Sequence, residues 1–187
     1  MEEEKLRHIG ESTNMSEEKL YREEPFSQED YLKEDGTLDV AAWIIRTTYE
    51  IWDMQMPGRI REYYIEDSAI NEGAGQRIEG RDAIINNTLE TQAAFPDLEV
   101  KILDIIWQGN EEDGYKTSMP SYLEGTNTGY SEFGPPTGKE LNRSNNMAIA
   151  NCLVKKIDGK WQYTEEWVRH DERAREIVCS GAGEEAE

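Results

Sequence analysis

Near the C-terminal end, Glu165-Glu166-Trp167-Val168-Arg169-His170-Asp171 gathers three carboxylates, an imidazole and an indole in seven positions. On an extended chain every second side chain shares a face. Glu165, Trp167, Arg169 and Asp171 therefore line up on one side, and the large apolar Trp167 turns that side inward. A carboxylate at its end is partly desolvated, which raises its pKa toward the range where it can take a proton next to a carbonyl. Such general acid–base work contributes about 10²–10⁴-fold, so Asp171 is the candidate catalytic residue. A second job is open to it. Glu172 to Val178 read as a helix, and Asp is a favoured N-cap. His170 falls on the opposite face, and the other histidine, His8, lies far away in sequence. That leaves no histidine pair and no histidine cluster for a metal. Cys152 and Cys179 lack metal-binding spacing, and the acid surplus is spread along the chain, so no metal is expected.

The elements that must position these residues follow from periodicity. Asp39 is a good N-cap for a helix whose Val40, Ile44, Thr48 and Ile51 trace one face with Trp52 beside it, ending before Pro57-Gly58. "RIREYYIED" reads as a short helix turning into a strand, and "SAINEGAGQRIEG" as two short strands around a Gly-rich turn. "GRDAIINNTLETQAAF" is a third helix with Ile84, Ile85, Thr88, Leu89 and Gln92 in period. The period then changes from 3.6 to 2. "LEVKILDIIWQG" alternates as a strand. "GYKTSMPSYLEG" is a strand whose Pro120 predicts an edge position or a bulge. "NMAIANCLVKKI" is a long apolar strand, and Asp158-Gly159 is a strong hairpin turn into "KWQYTEEWVRH". Helices followed by a run of strands indicate an α+β fold.

Charge narrows the function classes. The chain of 187 residues carries 20 Lys and Arg against 40 Asp and Glu, a net charge of −20. Broad DNA or RNA binding needs clustered cations, and anionic membranes are disfavoured for the same reason, so neither partner is expected. No apolar run approaches the roughly 20 residues of a membrane span, and "MEEEKLRHIG" lacks the apolar segment of a signal peptide. Two cysteines without a disulfide pattern fit a reduced, cytoplasmic setting. Residues 1–36 are acidic and read as a partly ordered arm, with Leu20, Tyr21, Phe26, Tyr31 and Leu32 available to dock. Residues 37–178 form the domain, and 179–187 a disordered tail. "GPPTG" lacks the Lys-Ser/Thr of a phosphate loop and reads as a turn.

"IEGRDAI" (78–84), "FPDL" (95–98), "GTNTG" (125–129), "FGPPTGKE" (133–140), "IDGKW" (157–161) and "EEW" followed by Asp171 occur in a fixed order. In that order they resemble the SnoaL-like polyketide cyclases of the nuclear transport factor two-like superfamily, over residues 39–178. The resemblance implies a curved antiparallel sheet wrapped on three helices, a cystatin-like cone with one apolar pocket, usually in a homodimer. It implies ring closure or isomerisation by acid–base chemistry without metal or organic cofactor, on a carbonyl-containing, polyketide-like or aromatic substrate. A non-catalytic ligand-binding or dimeric assembly protein of the same fold is the alternative. Asp171 matches the family's aspartate four residues after the strand tryptophan. Asn127 stands where many relatives carry histidine. The ligand-binding set expected around such a pocket is Trp52, Tyr63, Tyr64, Tyr122, Asn146, Asn151, Trp167 and His170, with Tyr122 or an Asn as enolate donor.

Overall fold

The computed structural model describes residues 13–181. The first long helix, α2 (Val40–Trp52), starts where its cap predicts. The Asp39 carboxylate accepts from the Ala42 N–H at 3.0 Å and from the Thr13 hydroxyl at 2.5 Å. It follows a single turn, α1 (Glu17–Leu20), and precedes another, α3 (Ile60–Tyr63). The third expected helix is α4 (Arg81–Ala94); it buries Ile84, Thr88 and Gln92, whereas Leu89, expected on the same face, is 47% exposed. A last helix, α5 (Glu172–Ser180), closes the domain and ends on Gly181 in the left-handed conformation, as helix ends favour. It carries Cys179 and Ser180, the first residues of the expected tail; 182–187 and 1–12 lie outside the described residues.

Among the described residues, eight strands form one sheet: β1 (Tyr64–Asn71), β2 (Arg77–Glu79), β3 (Glu99–Ile102), β4 (Ile106–Asn110), β5 (Gly114–Thr126), β6 (Glu140–Leu141), β7 (Ala148–Ile157) and β8 (Lys160–His170). The order is β2-β1-β8-β7-β5-β3, with β4 and β6 also on β5. The sheet is mixed, not wholly antiparallel, because β1 pairs β8 in parallel. The rest of the domain forms the long crossover that parallel pairing needs. The β7–β8 hairpin turns on Asp158 and Gly159, both at positive φ (50° and 81°), the conformation a two-residue hairpin loop requires.

Two details differ from the reading of the sequence. The stretch 98–109 is two strands, since the chain breaks pairing between Ile102 and Ile106. β5 is central rather than an edge, and Pro120 is tolerated there because it faces that break: its carbonyl accepts from Leu103 and its missing N–H falls between the two ladders. The second is a bulge. Leu153 pairs with Glu165 but Val154 pairs with Tyr163, so Thr164 is an extra residue in β8. One extra residue reverses which side chains face in. Trp161 and Tyr163 point into the core, but beyond the bulge Glu166, Val168 and His170 do so, and Glu165, Trp167 and Arg169 turn outward.

Residues 13–36 do not stand off from the domain. Leu20, Phe26 and Tyr31 are buried beside Trp43 and Tyr63. Arg46, fully buried in α2, donates to the carbonyls of Leu20, Arg22 and Glu24 at 2.7–2.8 Å. Its Nε pairs with Glu50 at 2.8 Å, and Glu50 also accepts from Phe26 N–H (2.7 Å), Arg59 (2.8 Å) and Tyr63. The charged groups of this knot all have partners, which buried ions need in order to be tolerated.

Candidate functional site

The concave face of the sheet, α2 and α4 enclose an apolar cavity of about 130 Å³. Ile44, Ile51 and Trp52 of α2 and Ile84 and Thr88 of α4 form one wall; Met119, Ala150 and Val168 of the sheet form the other. Polar groups gather at two places.

The first is the floor. Glu166 is 7% exposed, and one of its oxygens accepts from the Tyr64 hydroxyl at 2.9 Å and the Cys152 thiol at 3.3 Å. Burial pushes the Glu166 carboxyl up, against the opposing pull of those two hydrogen bonds. Burial, with the nearby carboxylate, also pushes the Tyr64 hydroxyl and the Cys152 thiol well above their ordinary values. Both groups therefore stay protonated as donors. Beside them Thr47 and Tyr163 share a hydrogen bond of 2.6 Å. The second place is the mouth, where β8 runs into α5. Glu72, His170, Asp171 and Arg175 line it. His170 keeps open surface, but that surface looks into the cavity, and desolvation holds its imidazole below the ordinary value. Arg175 pairs with Glu132 and Glu172, each at 3.2 Å.

A family model for SnoaL-like polyketide cyclases matches residues 42–167, roughly two thirds of the chain. The chain belongs to the SnoaL-like polyketide cyclase family. Solved structures agree on the fold. A protein of Jannaschia sp. CCS1 assigned as a SnoaL-like polyketide cyclase is 20% identical, with 75% of this chain and 90% of that one covered and a TM-score of 0.58. One of Acidithiobacillus ferrooxidans, assigned as a polyketide cyclase, is 17% identical over 76% and 95%, at 0.57. An uncharacterised protein of Caulobacter vibrioides with a cystatin-like fold is 14% identical over 75% and 95%, at 0.56. No curated protein matches the chain in sequence.

Within this SnoaL-like cone the residues expected from sequence divide cleanly. Trp52, Tyr64, Asn146, His170 and Asp171 line the cavity. Asn146 is occupied with backbone: its side chain accepts from Leu123 N–H and donates to the Leu123 and Asn142 carbonyls. Asp171 does cap α5, accepting from Ala174 N–H at 3.0 Å. The other four expected residues lie elsewhere. Tyr63 is turned into the Glu50 knot. Tyr122 alternates with Ser121 and Leu123, which line the cavity, and so points to the other face of β5. Asn151 and Trp167 lie on the outer face, Trp167 41% exposed, in a shallow depression with Ile106 and Trp107. The bulge at Thr164 is the physical reason for Trp167, since it put Trp167 out and His170 in; Asn151 faces out because its β7 neighbours Ala150 and Cys152 face the cavity.

The sequence reading missed Glu166, Cys152 and Glu72. A signal for the first existed: of the two alternating sets in β8, 165/167/169 carries two charges and 166/168/170 only one carboxylate, a valine and a histidine. Asn127 is a structural rivet. Its fully buried amide donates to the Ala94 and Gly129 carbonyls and accepts from Thr137 N–H and hydroxyl, all within 3.1 Å. Gly129 in the same motif is required by space, because a Cβ there would sit 1.7 Å from the Ala93 carbonyl oxygen.

Proposed function

We propose that this protein is a cyclase- or isomerase-type enzyme that moves a proton next to a carbonyl, with Glu166 as the acid/base. What carries the reading is a desolvated carboxylate on the floor of an apolar cavity, bonded among the described residues by two neutral donors, Tyr64 and Cys152. A carboxylate with a raised pKa is the stronger base for a weakly acidic C–H, and a pKa nearer the working pH lets the same group hold the proton and give it back. Glu166 takes the proton alpha to the substrate carbonyl, and the electron pair moves onto the carbonyl oxygen. Once Glu166 holds the proton, the Tyr64 hydroxyl is released from it and turns to donate to that enolate. In ring closure the enolate carbon then attacks a second carbonyl carbon of the same molecule, and the new alkoxide regains the proton from Glu166. In isomerisation the proton returns to a different carbon. Neither route calls on a cofactor. Asp171 serves chiefly as the helix cap at the mouth.

The cavity limits the substrate. An engineered cavity of about 150 Å³ takes benzene, so the enclosed part of this one accepts a body of single-ring size, with larger substrates extending through the mouth. The test uses 1-indanone, whose alpha protons exchange in D₂O at a rate readable by NMR. The wild-type protein should accelerate the exchange, and Glu166→Gln should remove about 10²–10⁴-fold of that acceleration. A folded Glu166→Gln protein that exchanges 1-indanone as fast as wild type rules Glu166 out as the base. A wild-type protein that binds the ketone without accelerating exchange favours the ligand-carrier reading.

A further inference from the structure

The mouth of the cavity is built from charges that the proposed chemistry does not use. Glu72 follows β1, Asp171 and Glu172 begin α5, and Glu132 sits in the loop between β5 and β6. All four surround Arg175. One terminal nitrogen of the guanidinium is shared by Glu132 and Glu172 at 3.2 Å each, while its buried Nε makes no hydrogen bond among the described residues. Asp171 has the start of α5 on one oxygen, whose partial positive charge of about one half offsets part of it. Glu72 feels the remainder: burial first, then Glu172 and Glu132, push its carboxyl up, against the pull of Arg175. Arg77 and Arg169, which reach this edge through Asn71, are engaged there with Glu79, Glu165 and backbone carbonyls. Desolvation holds the His170 imidazole below its ordinary value, against the opposing pull of Glu172. Four carboxylates against one guanidinium leave the rim net negative, on a chain that is itself at −20.

A charged rim on a low-dielectric cleft focuses field into the opening. From this placement we infer that the mouth is a charge filter. It admits uncharged and amine-bearing ring compounds and turns away carboxylates and phosphates. Glu72, Glu132 and Glu172 set the sign of the filter, and Arg175 positions two of them. The ligand class is thus a neutral ketone or an amino-ketone with a compact apolar body. This inference rests on the cavity being the substrate site, but not on Glu166 being the base.

Its test does not depend on turnover. Cys152 lies on the cavity floor, 6% exposed, so a thiol reagent reaches it by passing the mouth. In a Cys179→Ala background, Cys152 is labelled with three methanethiosulfonates of similar size, carrying a neutral, a trimethylammonium or a sulfonate group. Rates are divided by those measured on free 2-mercaptoethanol. At low salt the cationic reagent should label about tenfold faster than the anionic one, with the neutral reagent between, as expected for a potential of a few kT or less at the opening. Raising salt to 1 M should bring the three together. The Glu72→Gln/Glu132→Gln/Glu172→Gln protein should show the same collapse at low salt. Equal rates at low salt, or faster labelling by the sulfonate, overturn the filter and leave the catalytic reading intact.

Discussion

Glu50 and Glu166 are both buried carboxylates, and their surroundings are opposite. Glu50 is held by two guanidinium groups, a backbone N–H and a tyrosine, with every lone pair directed at a donor. Glu166 has a phenol and a thiol on one oxygen and an apolar cavity in front of it. The difference teaches how to tell a structural ion from a chemical one. The first is surrounded by cations and buried where nothing can reach it. The second is short of positive charge and next to empty space.

The largest effect should come from breaking the first of the pair. Glu50→Ala leaves Arg46 buried without its counter-ion, and unfolding by urea should show a loss of about 3–5 kcal/mol. A loss no greater than that of a surface substitution would mean the knot is not what holds residues 13–36 down.

Glu166→Gln should cost far less, and its effect should depend on pH. The folded pKa of Glu166 lies above the unfolded value of about 4.3. The folded state therefore binds the proton more tightly, and that contribution is present below the unfolded pKa and lost as pH rises through the folded one. The stability of wild type relative to Glu166→Gln should fall as pH rises from about 4.3, the unfolded value, through the folded pKa. A flat difference across that range would show that the carboxyl is not desolvated.

The smallest effect sharpens the contrast at the mouth. Asp171→Ala should lose about 1 kcal/mol through its cap while keeping most of the ketone exchange activity. A loss of exchange as large as that of Glu166→Gln would return Asp171 to the centre of the mechanism.

Much of the fold was legible because it is decided locally. Asp39 capping α2, Asp158-Gly159 closing the last hairpin and the switch of period after Pro96 depend on residues a few positions apart. The site was less legible because one residue decides it from across the sheet. Nothing in "YTEEW" says that Thr164 is unpaired; that is fixed by where Leu153 and Val154 meet β8. Counting by twos through the bulge exchanged the two faces, which promoted Trp167 and hid Glu166. Tyr63 was misplaced for a related reason. Its partner Glu50 lies in another helix, and Arg46 and Glu50 show their i,i+4 spacing but not that both are buried.

The clamp on Arg46 separates what this family shares from what this chain needs to fold. The family match starts at residue 42, and a boundary drawn from composition falls at 37. A protein cut at either point would keep the guanidinium but lose the three carbonyls and the Phe26 amide that satisfy it and Glu50. The segment that the family model matches is therefore smaller than the unit that must fold together. Residues 13–36 fold as part of the domain and not as a passenger on it.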